Sequence, residues 1–281
     1  MKPATVLFIA GSTAVVLVAV GTWLWQRSVG GPFASLTPES LPVATAPAAS
    51  APPAAPSAPA SGAAQYPIES AAAASAPVPG PTLETSLTTL FGRQAVLGLF
   101  QLDSFPRRLT ATVDNLGRRH APAQVWPLNP APGRFLVGKG GGAEFIDADN
   151  GARYTPYVLL IEQVDLPQLV ATYTRLYPQF QQAYEDLGFP GRYFNDRLVQ
   201  VIDLLLATPE PAGVLKVHLP PINTPMPAPR PWVLYEFDDP ALQGLTAGQK
   251  ILLRMGVVNE RRVKARLAEL RKLLTARPAA G

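Results

Sequence analysis

The chain has 281 residues, with 24 Lys and Arg against 20 Asp and Glu for a net charge of +4, no cysteine and two histidines. Without cysteine there are no disulfides, no acylated lipoprotein cysteine and no thiolate metal site; His120 and His218, about a hundred residues apart, exclude a histidine metal cluster as well. Composition divides the chain so unevenly that only about the last 195 residues are expected to pack, as one domain.

Between Pro3 and Gln26 no residue is charged, and "ATVLFIAGSTAVVLVAVGTWLW" supplies the roughly twenty apolar positions that carry a helix across a bilayer. The pattern predicts a transmembrane helix over about residues 4–25, within an anchor at 1–27. Ser12, Thr13 and Thr22 can bond back to helix carbonyls, and Trp23 and Trp25 stand where an interfacial aromatic belt forms. The rival reading is a cleaved secretory signal, for which Ala19, Val20 and Gly21 offer small residues. The length of the run and the tryptophans behind it favour an uncleaved anchor. Lys2 and the amino terminus outweigh Arg27 slightly, so the expected topology is an inside amino terminus and a translocated body.

From 28 to 82 the composition collapses to Ala, Pro, Ser and Gly, as in "ATAPAASAPPAAPSAPASGAA", and Glu39 and Glu69 are the only charges apart from the flanking anchor. Such a stretch buries too little apolar surface to offset the entropy of ordering it, so a disordered, polyproline-biased tether is expected.

Helical periodicity begins after Leu83, and a mainly α body with a few short β-strands is expected over 83–277. "LETSLTTLFG" and "QAVLGLFQL" read as short helices, and Ser104 as N-cap with Pro106 in the first turn starts a third, with Leu109, Val113 and Leu116 inward. "RFLV" and "AEFI" read as strands joined by "GKGGG", whose glycines leave the register loose. "ARYTPYVLLIEQV", "LPQLVATYTRLYPQFQQAYEDLG" and "FNDRLVQVIDLLLATPEP" predict three more helices, the second kinked at Pro178 and the last ending near Thr208. "VLKVHL" and "WVLYEF" are candidate paired strands around an exposed proline-rich insert. "TAGQKILLRMG" and "NERRVKARLAELRKLL" close the body as helices, with Asn259 as N-cap of the last and Val263, Leu267, Leu270 and Leu274 as its apolar stripe.

Three motifs, "TVDNL", "YPQFQQAYEDLGFPGRYFNDRLVQVIDLLLATPEP" and "LYEFDDPALQGLTAGQKILLRMG", together resemble an uncharacterised bacterial family, DUF3014-like, in which a domain of unknown function follows a single membrane helix and a Pro/Ala-rich linker. The resemblance spans about Leu83 to Ala276. It implies a protein of the bacterial envelope and no reaction; with the topology expected from the charges around the apolar run, the expected location is single-pass in the inner membrane with a periplasmic body.

At 100° per residue, Asp196, Gln200 and Asp203 share one narrow stripe of an otherwise apolar helix. Two turns set the aspartates roughly 10 Å apart along the axis, near the upper end of the carboxylate spacing of inverting glycosidases. Asp196 and Asp203 are therefore candidate acid and base of a cell-wall glycan hydrolase. The plainer alternative has Asn195 and Asp196 satisfying the helix's own first amides and Asp203 paired with an arginine or tyrosine of a neighbouring helix. Tyr173, Tyr177, Phe180 and Tyr184 form an aromatic stripe that is either core or a sugar-stacking wall. As core, their hydroxyls would join Asn195, Asp196, Arg197 and Asp203 in a buried polar network.

"GKGGG" lacks the G-x-x-x-x-G-K-[ST] pattern of a phosphate loop, and no G-x-S-x-G serine elbow is present. Residues 246–281 carry nine Lys and Arg against two Glu, whereas 83–245 carry thirteen against sixteen acids. Arg261, Arg262, Lys264, Arg266, Arg271 and Lys272 thus form a candidate basic face for anionic lipid or an acidic protein, unless the domain's own acids neutralise it. The residues favour a non-enzymatic, membrane-anchored binding or scaffolding protein over the hydrolase. Its expected partners are membrane lipid through the N-terminal helix and a protein or cell-wall component, with no cofactor, no metal and no nucleic acid.

Overall fold

A computed structural model describes residues 63–68, 81–221 and 230–276. All of them fall in one compact unit, 58–281, while a first unit, 1–57, lies outside the described residues. So does the expected transmembrane helix; among the described residues no helix is long and apolar enough to cross a membrane.

The domain is mainly helical with a small antiparallel sheet, in the order α1 (Leu83–Phe91), α2 (Arg93–Leu99), α3 (Phe105–Leu116), β1 (Val137–Gly140), β2 (Ala143–Ile146), α4 (Asn150–Gln163), α5 (Leu166–Asp186), α6 (Phe194–Leu206), β3 (Lys216–His218), β4 (Glu236–Phe237), α7 (Pro240–Gln243), α8 (Ala247–Arg254) and α9 (Val257–Thr275). Local chemistry starts several of these helices. Thr82, Asp165 and Asp239 each accept an amide of the first turn of α1, α5 and α7, and Thr246 with Gln249 forms a reciprocal capping box on α8.

Two expected starts are corrected. Ser104 precedes α3 in a left-handed conformation, φ 51°, and its side chain caps nothing. Asn259 lies inside α9, which begins at Val257 after Gly256, φ 81°. The glycine turns the chain between α8 and α9 where a side chain would be strained, so the helix needs no capping side chain at 259. Asn259 instead donates to the carbonyls of Gly151 and Met255, stitching α9 to α4.

The glycine-rich hairpin is also more definite than its composition suggests. Gly138, Lys139 and Gly140 belong to β1 itself, in register with Phe145, Glu144 and Ala143. The turn is the pair Gly141–Gly142, both at positive φ, as a two-residue I′ hairpin requires. Gly138 lets Phe145 lie across the strand: a Cβ there would stand 2.4 Å from the ring. Lys139 pairs with Glu144 at 3.2 Å, which further holds the register. The sheet continues in the order β1-β2-β3-β4, all antiparallel, so "VLKVHL" and "WVLYEF" do pair through His218–Glu236 and Val217–Phe237.

The main core lies between α1, α3, α5 and α6. Phe194, fully buried, meets Tyr173, Phe180 and Tyr184 of α5 at ring-centroid distances of 6.5, 6.2 and 5.6 Å. The aromatic stripe of α5 is therefore core. Burial raises the phenol of Tyr173 well above its usual range and pushes that of Tyr177 up to about 12, with smaller opposing and reinforcing effects from neighbouring groups. A second cluster of Val199, Ile202 and Leu274 joins α6 to α9, and a third of Val158, Leu252 and Val263 joins α4, α8 and α9.

The stretch expected to stay disordered, 28–82, includes residues 63–68, which lie against the domain. Tyr66 packs on the Val199–Ile202–Leu274 cluster and Ile68 on the cluster that holds Phe194. The interval is too short to form a core of its own. It borrows the domain's.

Candidate functional site

The start of α6 carries the densest arrangement of committed polar groups. Its first residue, Phe194, anchors the helix in the aromatic core, and Gln181 of α5 accepts the Phe194 amide at 2.9 Å. The same Gln181 accepts the Tyr177 hydroxyl at 3.0 Å and donates to the Arg192 carbonyl at 2.8 Å. One side chain of α5 thereby fixes where α6 begins, and the next residues inherit their directions.

Asn195 is fully buried. Its oxygen accepts the Tyr173 hydroxyl at 3.2 Å, and its amide nitrogen donates to the carbonyl of Tyr66 at 2.9 Å. Asp196 accepts two successive backbone amides, Gln65 N–H at 2.9 Å and Tyr66 N–H at 2.8 Å, one on each carboxylate oxygen. The expectation that these two residues satisfy their own helix's first amides is corrected: they bind a different segment, about 130 positions away in the chain. The helix start leaves a carboxylate favourably placed by the macrodipole, and both oxygens are taken by main-chain donors.

Arg197 turns to the other side of α6. Its Nε donates to Asp114 Oδ1 at 2.9 Å, one Nη to the Asp114 carbonyl at 2.9 Å, and the other to Gln200 at 2.6 Å. Asp114 of α3, from "TVDNL", also receives Arg118 at 2.7 Å and is itself buried. Gly117 permits this arrangement, since a Cβ there would stand 2.8 Å from the Arg197 guanidinium.

Asp203 is held by Arg271 of α9, whose Nε and Nη2 both donate to it, the latter at 3.1 Å. The pairing with Asp203 is the main reason the Arg271 guanidinium is raised above its usual range. Asn195 and Asp196 therefore share one partner, the backbone of residues 65–66, while Arg197 turns to Asp114 and Asp203 to Arg271, and the four do not form the single network expected of them. Asp196 and Asp203 do share one shallow surface depression, with Gln200 between them and Tyr66 as the one aromatic ring on its described walls.

The candidate basic face is largely consumed within the domain. Arg262 grips Glu162 with two hydrogen bonds of 2.7 and 2.5 Å, Arg261 meets Glu210 at 2.8 Å, and Arg266 meets Glu269. Arg266 also donates to the carbonyls of Ile161 and Val164 at the end of α4, satisfying acceptors that the helix leaves open. Lys264 reaches the Thr208 carbonyl at 2.6 Å, Glu260 at 2.8 Å and Glu210 at 3.3 Å. Hydrogen bonds from Arg262 and Arg261 hold the carboxyls of Glu162 and Glu210 below their usual range, whereas burial raises that of Glu260. Of the six cations only Lys272 has no ion-pair partner among the described residues. The surplus of positive charge in the last helices mostly clamps α9 onto α4, α6 and the turn at 208–210.

The histidines stay apart from this region: His218 on β3 meets Asp238 at 2.7 Å. Among the described residues no group of three or more acids and histidines is placed to hold a metal ion.

Several residues that build the site carry no signal of their own in the sequence. Asp114 and Gln181 act across the fold, from helices other than the one they position. The docked segment does carry one. Tyr66 is the only aromatic residue between Phe33 and Phe91, in a stretch otherwise short of large side chains.

No curated protein and no solved structure matches the chain. The DUF3014 family, described as proteins of unknown function, matches residues 105–271, from the start of α3 to Arg271, a range that spans Asp114, Gln181 and all of α6 while leaving out the docked residues 63–68. That match covers more than half of the chain, and the protein belongs to the DUF3014 family.

Proposed function

We propose that the protein is a non-enzymatic binding or scaffolding module of the bacterial envelope, anchored by a single pass of its amino-terminal segment through the inner membrane, with its body in the periplasm. The observation that carries the binding half is the commitment of both candidate catalytic acids. Asp203 is paired with Arg271 by a contact that does not involve residues 63–68, and in the docked chain both oxygens of Asp196 accept main-chain amides, so the two carboxylates do not stand together as a free acid and a free base. The depression they share offers one ring where a glycan cleft stacks several, and its acids already have protein partners. The anchoring half rests on the uncharged run from Pro3 to Gln26.

Zymography on purified peptidoglycan tests the first half. The wild-type chain and Asp203→Asn are expected to give the same absence of clearing; clearing by wild type that Asp203→Asn abolishes would make the protein a glycan hydrolase. Fractionation tests the second. The full-length polypeptide is expected in the membrane pellet after alkaline carbonate washing, with residues 1–27 still attached on N-terminal sequencing. Recovery as a soluble chain lacking that segment would replace the anchor with a cleaved signal.

A further inference from the structure

The contact between residues 63–68 and α6 has the features of a peptide complex held within one chain. Burial alternates along the segment: Ala64, Tyr66 and Ile68 are part-buried against the domain, while Ala63, Gln65 and Pro67 are exposed. The backbone bends at Gln65 and Tyr66, which turns their two successive amides to the same side. The polar contacts at its centre go to the backbone, since Asp196 takes the amides of Gln65 and Tyr66 and Asn195 takes the Tyr66 carbonyl. Groups that bind main-chain donors and acceptors hold a peptide bent in this way whatever its side chains, and selectivity then comes from the residues that face inward.

Here those residues are an aromatic ring and an aliphatic chain with proline between them. Proline suits the middle position because it faces solvent, favours an extended backbone and needs no donor there. On the receptor side, the groups are set by contacts that do not involve the peptide. The Tyr173 hydroxyl occupies the oxygen of Asn195 and so aims its amide nitrogen at the Tyr66 carbonyl; Gln181 fixes the first turn of α6 from which Asp196 projects.

We propose that Asn195 and Asp196 form a peptide-binding site for segments that bend at an aromatic–proline–aliphatic triplet, and that Tyr66–Pro67–Ile68 of the same chain is its exchangeable resting occupant. Exchange follows from the balance of the contact. Three hydrogen bonds and three part-buried side chains stand against the entropy of ordering six residues, and the two quantities are of the same order. A partner segment of the same chemistry therefore displaces the resting one. Release also changes the tether read from the sequence: a clip at Gln65 leaves 28–64 as its length, and an open clip restores 28–82. The proposal names a ligand for the binding module, yet it concerns the folded domain alone and holds whether or not the amino-terminal segment is an anchor.

The full chain in detergent micelles, as wild type and with Tyr66→Ala and Ile68→Ala combined, is titrated with a fluorescein-labelled peptide of residues 61–71, SGAAQYPIESA. The doubly substituted chain, its site vacated, is expected to bind the peptide about tenfold more tightly than wild type or better. A peptide with proline in place of Gln65 lacks the amide that Asp196 accepts and is expected to lose about tenfold or more on the same chain. Asp196→Ala, added to the doubly substituted chain, is expected to abolish binding; if that variant fails to fold, the proline peptide decides. No binding by the doubly substituted chain, or equal affinity for the two peptides, overturns the site. Concentration-dependent dimerisation of wild type that the two alanines remove would make the occupant a second copy's segment and overturn the resting contact within one chain.

Discussion

Phe194→Ala is expected to destabilise the domain by about 3–5 kcal/mol, the range for removing a large aromatic side chain from a packed core. Phe194 has no exposed surface and touches rings on three faces: Tyr173, Phe180 and Tyr184. Those rings belong to α5, whose own position is held by contacts with α1 and α3, so they cannot close over the vacancy cheaply. Against a total stability of about 5–15 kcal/mol for an ordinary domain, the loss is a large fraction. Urea unfolding followed by far-UV circular dichroism measures it. A second consequence is specific to this site: Phe194 seats the first turn of α6, so the variant, where still folded, should also hold residues 65–66 less well. A loss below about 1 kcal/mol would mean that the aromatic cluster is loose enough to repack, contrary to its burial.

The same residue shows which parts of the architecture could be read from composition and spacing. The apolar stripes of α6 and α9 are helical in period and strong, and both helices form where the stripes predict. Pro209 and Pro211 end the pattern after α6, and the helix stops at Leu206. The charge surplus of the last helices was legible too, but its use was not, because whether a cation faces solvent or an acid depends on residues up to a hundred positions away. Arg262 meets Glu162 and Arg271 meets Asp203 only once α4, α6 and α9 are assembled. Asn259 misled for a related reason. Asparagine is a favoured N-cap, but Gly256, three residues earlier, adopts a backbone conformation that begins the helix sooner.

Backbone recognition is hardest to foresee. Asp196 reads the amides of Gln65 and Tyr66, and amides are common to nearly every residue, so no complementary pattern marks the partner segment. What marks it is an aromatic and an aliphatic residue two positions apart in a stretch of Ala, Pro, Ser and Gly. Both turn toward the domain, and Pro67 between them is left exposed.

Asp114→Ala is expected to cost about 3–5 kcal/mol, because it leaves Arg197 charged and enclosed without its carboxylate. Two ion pairs of this domain separate by environment. In the Asp203–Arg271 pair the side chains are 46% and 35% exposed, and exposed pairs contribute about 0–1 kcal/mol, so Asp203→Ala should be nearly silent in stability. In the Asp114–Arg197 pair they are 9% and 17% exposed, and Arg197 also donates to the Asp114 carbonyl. With both side chains so largely covered, little water can replace the lost partner there. Arg118 adds little to the difference, since it is half exposed and finds solvent when the carboxylate goes. The cost is thus that of an orphaned cation, which makes a specific second prediction: combining Asp114→Leu with Arg197→Met should recover much of the stability that Asp114→Ala loses, because two apolar side chains remove the charge along with its partner. Thermal and urea unfolding of wild type, Asp114→Leu, Arg197→Met and the chain with both, read as a double-mutant cycle, measures the coupling, with Asp114→Ala and Asp203→Ala unfolded alongside. If Asp114→Ala costs no more than Asp203→Ala, the pair at the junction of α3 and α6 is solvated and its burial has no energetic consequence.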